Sequence, residues 1–593
     1  MRNIWLVTVF VLSNIVVRYG GGAMHVDSMY DKNHWVRENI FEIKKRLSNL
    51  GLSLDAKNLP RAKNVILFIG DGMGLNTLTS ARILKGQRNH RSGEMEKLIW
   101  DEFPSIAHVK TFTANTMVGE SAACATAMFT GVKTNAEVIG FDGKMQYNNC
   151  STSKPTKLQT IFDWAQEAGM KTGFVTTTRV SHATPAALYA HTSNRYWEDD
   201  SKVPVNFRKN CKDITRQLVE STPGRNINVI MGGGLRSWLP LMPPEYNQTS
   251  HRRSSKEGKR LDSRNLVYEW LKDKQHKGFK AKYVTTRSEM FQISEEVDFL
   301  LGLFSYSHLE YHADRSKDEE TREQPTLLEM TRQALEVLKF NSSGFMLVVE
   351  SGRIDHAHHH NNAFRALDET LALEEAVRDV IENDLIDLKE TLILVTADHA
   401  EGMIFSGYNS PIGTDIMGVD RSTSDVDNKH YPVLTYAAGP GHYAYERKKH
   451  SKETFQPSTI PKSWGNHGGE DVPLFAVGPL SSTLFTGTFD QTYIPQAISY
   501  ALCISIHSDR CNRHDDLFSA SSEEEEETVE EENKVFDIYN SHVERKEMYA
   551  SLLLVNNETE VEMQTNGTSN SDWRPSCSNY LFFVAFSAVF VNL

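Results

Sequence analysis

The sequence predicts a doubly wound α/β fold, a mostly parallel sheet sandwiched by helices, and three observations carry that reading. Short apolar runs at Asn64 to Ile69, Gly344 to Val349 and Thr391 to Thr396 stop abruptly in acidic, glycine or histidine residues. Strands buried on both faces read this way. Stretches with helical spacing, such as Leu328 to Leu338, lie between such runs, and alternating strands and helices imply helices on both faces of a sheet. With 593 residues, 39% of them hydrophobic and 24% charged, the chain can bury a large core.

Taken in order, Met1-Arg2-Asn3, the apolar run Ile4 to Val17 and the small residues Gly20 to Ala23 read as a secretory signal peptide spanning residues 1–22. The run is shorter than the roughly 20 residues a membrane span requires. Residues 31–513 read as the catalytic domain. It opens with an amphipathic helix from Asp31 to Leu50, whose Trp35, Ile40, Ile43 and Leu47 recur at helical spacing. Gly173 to Thr177, Asn228 to Met231 and Leu474 to Val477 are further strands of the same kind. Ser406 to Gly465, rich in Gly, Pro, Ser and Asp, reads as a surface insertion. Residues 514–570 carry the acidic run Glu523 to Glu527 and Glu530 to Glu532 and read as a poorly ordered stalk. The apolar tail Tyr580 to Leu593 follows small polar residues. This is the layout of a glycosylphosphatidylinositol (GPI) attachment signal, with the lipid at Asn570, or at Ser569 or Ser571, and residues 571–593 removed.

An exported chain uses its cysteines in disulfides. Cys503 and Cys511 are near enough to close a small loop, Cys150 and Cys211 remain as a long-range pair, Cys124 reads as an inert buried thiol, and Cys577 departs with the tail. Glycosylation triplets begin at Asn149, Asn247, Asn341, Asn557 and Asn566. The net charge of -13 falls largely in the acidic run, and no basic face suited to nucleic acid is present.

The chemistry gathers at the strand ends. Asp71, Glu350, Asp355, His359, Asp398, His399 and His467 form a mixture of carboxylates and imidazoles suited to zinc and magnesium. Asp355 and His359, four residues apart, share one face of a helix. One such residue alone is more often a helix cap or a satisfied histidine; seven at the mouth of one inferred sheet point to metals. Ser121 opens an Ala-rich helical stretch and by itself reads as an N-cap. Beside metals it becomes a nucleophile, because a zinc-bound hydroxyl ionises near neutral pH and a helix N-terminus favours phosphate. Arg195 offers a planar fork for two phosphate oxygens.

These segments resemble the alkaline phosphatase family, specifically its animal, membrane-anchored members. The likeness runs from about Asp31 to Arg513. It is carried by Ile69-Gly70-Asp71-Gly72-Met73-Gly74, Glu120-Ser121-Ala122, Thr176 to Pro185, Glu350 to His359, Thr396-Ala397-Asp398-His399 and Asn466-His467. The resemblance implies one zinc on Asp355, His359 and His467, a second on Asp71, Asp398, His399 and Ser121, and magnesium on Asp71, Thr184 and Glu350. It also implies that His182 and His356 tune the magnesium side, that Arg195 grips substrate, and that Tyr408, in a crown-like insertion, meets the second subunit of a homodimer. The disulfides Cys150–Cys211 and Cys503–Cys511 carry over as well.

The implied activity is hydrolysis of phosphate monoesters at alkaline pH on the outer cell surface, through a covalent phosphoserine at Ser121 that water then cleaves. Two departures stand out. Glu120 replaces the usual aspartate before the nucleophile, which leaves the orientation of Arg195 open. At the family's calcium position Glu245 and Phe304 match, but Ser305 and Gln324 are neutral, so calcium is not expected to bind tightly. Among rivals, Ser221-Thr222-Pro223-Gly224-Arg225 matches a sulfatase pattern but precedes a strand with no metal cluster beside it, and reads as a turn. A phosphodiesterase would use threonine as nucleophile, and an inactive scaffold would lack a ligand or Ser121.

Overall fold

The computed structural model describes residues 27–56, 59–151, 155–241, 257–293, 296–316, 318–444 and 453–512. The signal, stalk, lipid-attachment and tail readings lie outside these residues, as do Asn247, Asn557, Asn566 and Glu245. Ten strands build the central sheet: β1 (Asn64–Gly70), β2 (Ser105–Lys110), β3 (Lys171–Arg179), β4 (Val229–Gly233), β5 (Ala281–Val284), β6 (Phe299–Leu303), β7 (Phe345–Ser351), β8 (Thr391–Thr396), β9 (Val472–Val477) and β10 (Gly487–Asp490). Their order across the sheet is β10-β2-β9-β8-β1-β7-β3-β4-β6-β5.

The strands at the centre are buried along almost their whole length, as continuous apolar runs require when helices cover both faces. One expectation needs correction. The run at Leu474 forms β9, which pairs antiparallel with both β2 and β8 rather than joining the parallel set. An apolar run records burial on both faces but carries no sign of direction. β2 escaped the sequence reading for the opposite reason, since its residues alternate between buried and exposed.

Helix α1 (Lys32–Asn49) is capped by Asp31, whose side chain accepts from the Asn33 amide, and buries Trp35, Ile43 and Leu47. Ile40, expected on the same face, is only half-buried. Helix α2 (Leu75–Arg88) follows β1, α3 (Ser121–Thr130) follows β2, and α4 (Arg353–His359) and α5 (Ala363–Glu382) follow β7. The region after β8 carries a small three-stranded sheet, ordered Met403–Phe405, Leu434–Gly439, Ser458–Pro461, and a hairpin of Val419–Thr423 with His430–Pro432. Among the described residues no helix is long and apolar enough to cross a membrane.

Candidate active site

Strand register places the site. Ile69 on β1 pairs with Glu350 on β7 and with Thr396 on β8, and Thr176 on β3 pairs with Glu350. The residues just beyond those pairs, Asp71, Asp398 and His399, therefore leave the sheet at one rim, where ligands of open parallel sheets collect. Because β9 runs the other way, the residue preceding it rather than following it reaches the same rim. This is how His467 arrives, bridged antiparallel to Glu401.

The first cluster joins Asp355 and His359 from α4 to His467. Asp355 Oδ1 lies 3.3 Å from His359 Nε2 and 3.4 Å from His467 Nε2. Each ring is fixed from behind: His359 Nδ1 donates to the Gly465 carbonyl and His467 Nδ1 to the Gly119 carbonyl, both at 2.8 Å. With the proton on Nδ1, both Nε2 lone pairs face inward, 3.1 Å apart. With neither Nε2 protonated, the two rings and the Asp355 oxygen make a donor set suited to a cation; without one, His467 can carry a proton shared with Asp355. Sequence reasoning missed Glu401, whose fully buried Oε1 faces the same cluster, 3.8 Å from His359 Nε2. Strand alternation held the signal, since residues 399 and 401 share a face.

The second cluster joins Asp71, Asp398 and His399. His399 Nε2 is 3.4 Å from Asp71 Oδ1 and 3.3 Å from Asp398 Oδ2, and its Nδ1 donates to the Ala400 carbonyl at 3.2 Å. The Gly72 and His399 amides donate to Asp398 Oδ1 at 3.1 and 2.9 Å, which aims Asp398 Oδ2 inward without a donor. Beside it an oxygen-rich group forms, with Thr184 Oγ1 3.5 Å from Asp71 Oδ2, Glu350 oriented by Thr178, and a His182 ring nitrogen within 4.8 Å of the Asp71 and Glu350 oxygens. That donor chemistry fits magnesium, whereas the mixed clusters fit zinc.

Electrostatics agree. Burial, then the charges of Asp398, Asp355 and Glu350, push the Asp71 carboxyl well above the ordinary range. Burial likewise raises Glu350 to about 7 and, with the charge of Asp355, Asp398 to about 6. So many carboxylates converge here that bound cations are the natural counter-charge.

Ser121 is not the N-cap the sequence suggested; Glu120 is. Glu120 accepts from the Ala122 and Ala123 amides at 2.9 and 2.7 Å, because the helix starts at Ser121 and places Glu120 at the cap position. The Ser121 hydroxyl is thereby left facing Asp71 Oδ1 at 3.4 Å and His399 Nε2 at 3.3 Å. Glu120 also anchors Arg195, whose Nη1 donates to Oε2 at 2.7 Å while its Nη2 lies 3.3 Å from His182 Nε2. The orientation left open by the sequence is thus set by a charge-assisted bond. His182 and His356 pack edge to face at 5.3 Å, and a third histidine the sequence reading missed, His308, lies 4.3 Å from His356.

Elsewhere, Cys150 is joined to Cys211 and Cys503 to Cys511, with Cα atoms 6.4 and 6.0 Å apart. Cys124 is free and buried. Tyr408 is 97% exposed, outside the metal-ligand clusters. Both amide protons of Asn341 are engaged, donating to the Gly169 and Gly344 carbonyls. Ser305 Oγ donates to the His308 carbonyl, and Gln324 Oε1 accepts from the Glu310 amide. Ser221 to Arg225 lies before β4, at the end of that strand opposite the rim.

A parallel sheet whose rim gathers buried imidazoles and carboxylates around a serine hydroxyl defines a metallohydrolase. Comparison with known proteins narrows the class. Residues 62–504 match the family described as alkaline phosphatase. The chain is 41% identical over 473 residues to the tissue-nonspecific alkaline phosphatase of Gallus gallus, covering 78% of this chain and 88% of that protein. It is 38% identical over 489 residues to the membrane-bound alkaline phosphatase of Bombyx mori, covering 80% and 86%. The alkaline phosphatase of Thermus thermophilus shares the fold, with a TM-score of 0.53 at 23% identity over 75% of this chain and 92% of that one. The chain belongs to the alkaline phosphatase family and is a phosphomonoesterase.

Proposed function

We propose that this enzyme transfers the phosphoryl group of a monoester to Ser121 and then to water. The observation that carries the reading is the position of the Ser121 hydroxyl, at the start of α3, facing Asp71 and His399 and close to Arg195's anchor on Glu120. Asp355, His359 and His467 would hold one zinc, Asp71, Asp398, His399 and the Ser121 oxygen a second, and Asp71, Thr184 and Glu350 a magnesium. Bound there, such ions stabilise charge on the entering and leaving oxygens and ease ionisation of a hydroxyl.

The chain supplies the rest. Ser121 Oγ attacks phosphorus in line as the alcohol oxygen leaves on the opposite side, forming the phosphoserine. Arg195, held by Glu120, takes two of the remaining phosphoryl oxygens in its fork, and the amides at the start of α3 favour the negative charge. Water then attacks the phosphoserine from the side the alcohol left, which restores the hydroxyl and releases inorganic phosphate. His182 and His356 border the oxygen-rich group.

Release of phosphate from a chromogenic monoester across pH, with and without chelator, tests reaction class and metal dependence together. Acid trapping and peptide mapping should place phosphate on Ser121.

The mature chain is proposed to sit on the outer face of a membrane through a lipid at Asn570, Ser569 or Ser571, as a glycosylated homodimer that Tyr408 helps to join. The tail composition, the exposure of Tyr408 and the Bombyx mori relative's description support this. Calcium is not expected to bind stoichiometrically, because Ser305 and Gln324 carry no charge and already serve internal hydrogen bonds.

A further inference from the structure

We infer that Glu401 is a fourth protein ligand of the metal ion held by Asp355, His359 and His467. The inference rests on the proposed function, in which that trio holds an ion, and adds a residue to which no role has been given. Glu401 Oε1 lies 3.8 Å from His359 Nε2 and 3.9 Å from His467 Nε2. The other three donor atoms are 3.1 to 3.4 Å apart. Four donors placed tetrahedrally at zinc bond lengths of about 2.0–2.1 Å would be separated by about 3.3 Å, a spacing that these five separations bracket.

The surroundings suit a ligand, and without a cation the Glu401 carboxyl shares a hydrogen bond with Asp355. The Glu401 side chain is wholly buried, and its Oε1 has no hydrogen-bond donor. Its second oxygen accepts from the Gly402 amide at 3.3 Å, which turns Oε1 inward. The cage also depends on Gly72. At its φ of +72° glycine is favoured, and a Cβ there would lie 2.8 Å from Glu401 Cγ and 3.3 Å from the Asp355 Cα. Burial and the charge of Asp355 hold the Glu401 carboxyl well above its usual range, so an entering cation is what would favour its ionised form.

Four protein ligands complete a tetrahedral shell, whereas catalytic zinc ordinarily keeps one position open. Substrate oxygen would therefore need a fifth position or would have to displace the Glu401 carboxylate. The site should accordingly release its ion less readily than the three-ligand set alone would.

The test uses the zinc- and magnesium-loaded full-length enzyme. A crystal structure with anomalous scattering at the zinc edge should place Glu401 Oε1 about 2.0–2.2 Å from the ion. In solution, Glu401→Gln and Glu401→Ala should each lose one zinc per chain at a chelator concentration at least tenfold lower than wild type, with thermal unfolding of the loaded protein confirming that both fold. Asp355→Asn separates the two readings. If it loses the same zinc while both Glu401 variants retain it at wild-type chelator concentrations, and Glu401 stands more than 3 Å from the ion, Glu401 is not a ligand. If Asp355→Asn leaves zinc content unchanged, no ion sits on the trio and the proposed function fails with the inference.

Discussion

Glu120 does three things with one carboxylate: it caps α3, it accepts the Glu137 amide at 2.7 Å, and it holds Arg195. Glu120→Ala should therefore weaken the start of α3 by about 1 kcal/mol, the usual worth of a cap, and also free the Arg195 fork. The kinetic signature should be a rise in KM of about tenfold, with phosphoenzyme still trapped at Ser121, because the nucleophile keeps its neighbours. Ser121→Ala should give no trapped phosphoenzyme and lower kcat by several orders of magnitude, as loss of a nucleophile does in other hydrolases. Full turnover without Ser121 would sink the covalent route.

What the sequence disclosed at this scale was which carboxylates and histidines gather at the rim, because such residues are unusual where apolar runs break off. What it concealed was which of several chemically alike neighbours turns inward. His358 lies between two site histidines on α4, yet it bonds Thr77 and Tyr436 and serves the core. Glu401 carries no motif at all and enters the cluster only because the bridge to His467 brings it there. Glu120 hides for a related reason, since the sequence did not show that the helix begins at Ser121 and so makes the residue before it the cap.

Among the elements, the helix Ile214–Glu220 depends on Asp213, which caps it through the Arg216 amide and pairs with Arg260 at 3.0 Å. Arg260 is fully buried and also contacts Asp262. Arg260→Met should cost about 3–5 kcal/mol by leaving buried carboxylates without their partner, measurable as a drop in the midpoint of chemical unfolding. Replacing both Arg260 and Asp213 by apolar residues should cost less than the sum of the single changes.

Helix α5 offers a pH-dependent tie. His312 Nδ1 donates to Asp368 Oδ2 at 3.0 Å, and this bond, outweighing partial burial, raises the His312 pKa above its usual value near 6.5. A raised base stabilises the fold fully below its unfolded pKa, and the contribution fades as pH climbs through the folded pKa. The stability gap between wild type and His312→Gln should therefore be widest at mildly acid pH, below about 6.5, and narrow steadily above it. A gap that widened toward alkaline pH would contradict the assignment. At this scale the central parallel strands were legible from composition, while β2, β5 and β10 were not, being short or half-exposed, and β6, a buried apolar run like β4, was overlooked.

For the molecule as a whole, every proposed ligand, the nucleophile and both disulfides fall within residues 71–511. A chain ending at Asn512 should therefore retain phosphatase activity, with kcat/KM within about twofold of the full-length enzyme, and should appear in the medium rather than on cells. The full-length form should be freed from cells by a phosphatidylinositol-specific phospholipase. Retention after that treatment, with the C-terminal peptide intact by mass spectrometry, would mean a different anchor. Metal analysis after equilibration in millimolar calcium should find zinc and magnesium without stoichiometric calcium.

The reversal of β9 has a consequence in time. The chain emerges from the ribosome N-terminus first, at about 5–20 residues per second. Asp71, Glu350 and Asp398 can meet once β8 is made, but His467 precedes a strand that must slot between β8 and β2, a pairing of Val395 with Phe475 and of Phe475 with Ile106. The last imidazole thus joins only after a segment near residue 475 pairs both with β8 and with β2, the latter made hundreds of residues earlier. Long-range insertion of this kind is slow. Asp355, His359 and His467 therefore come together only when the sheet closes, so assembly of this cluster depends on the last strand pairing as well as on its own residues.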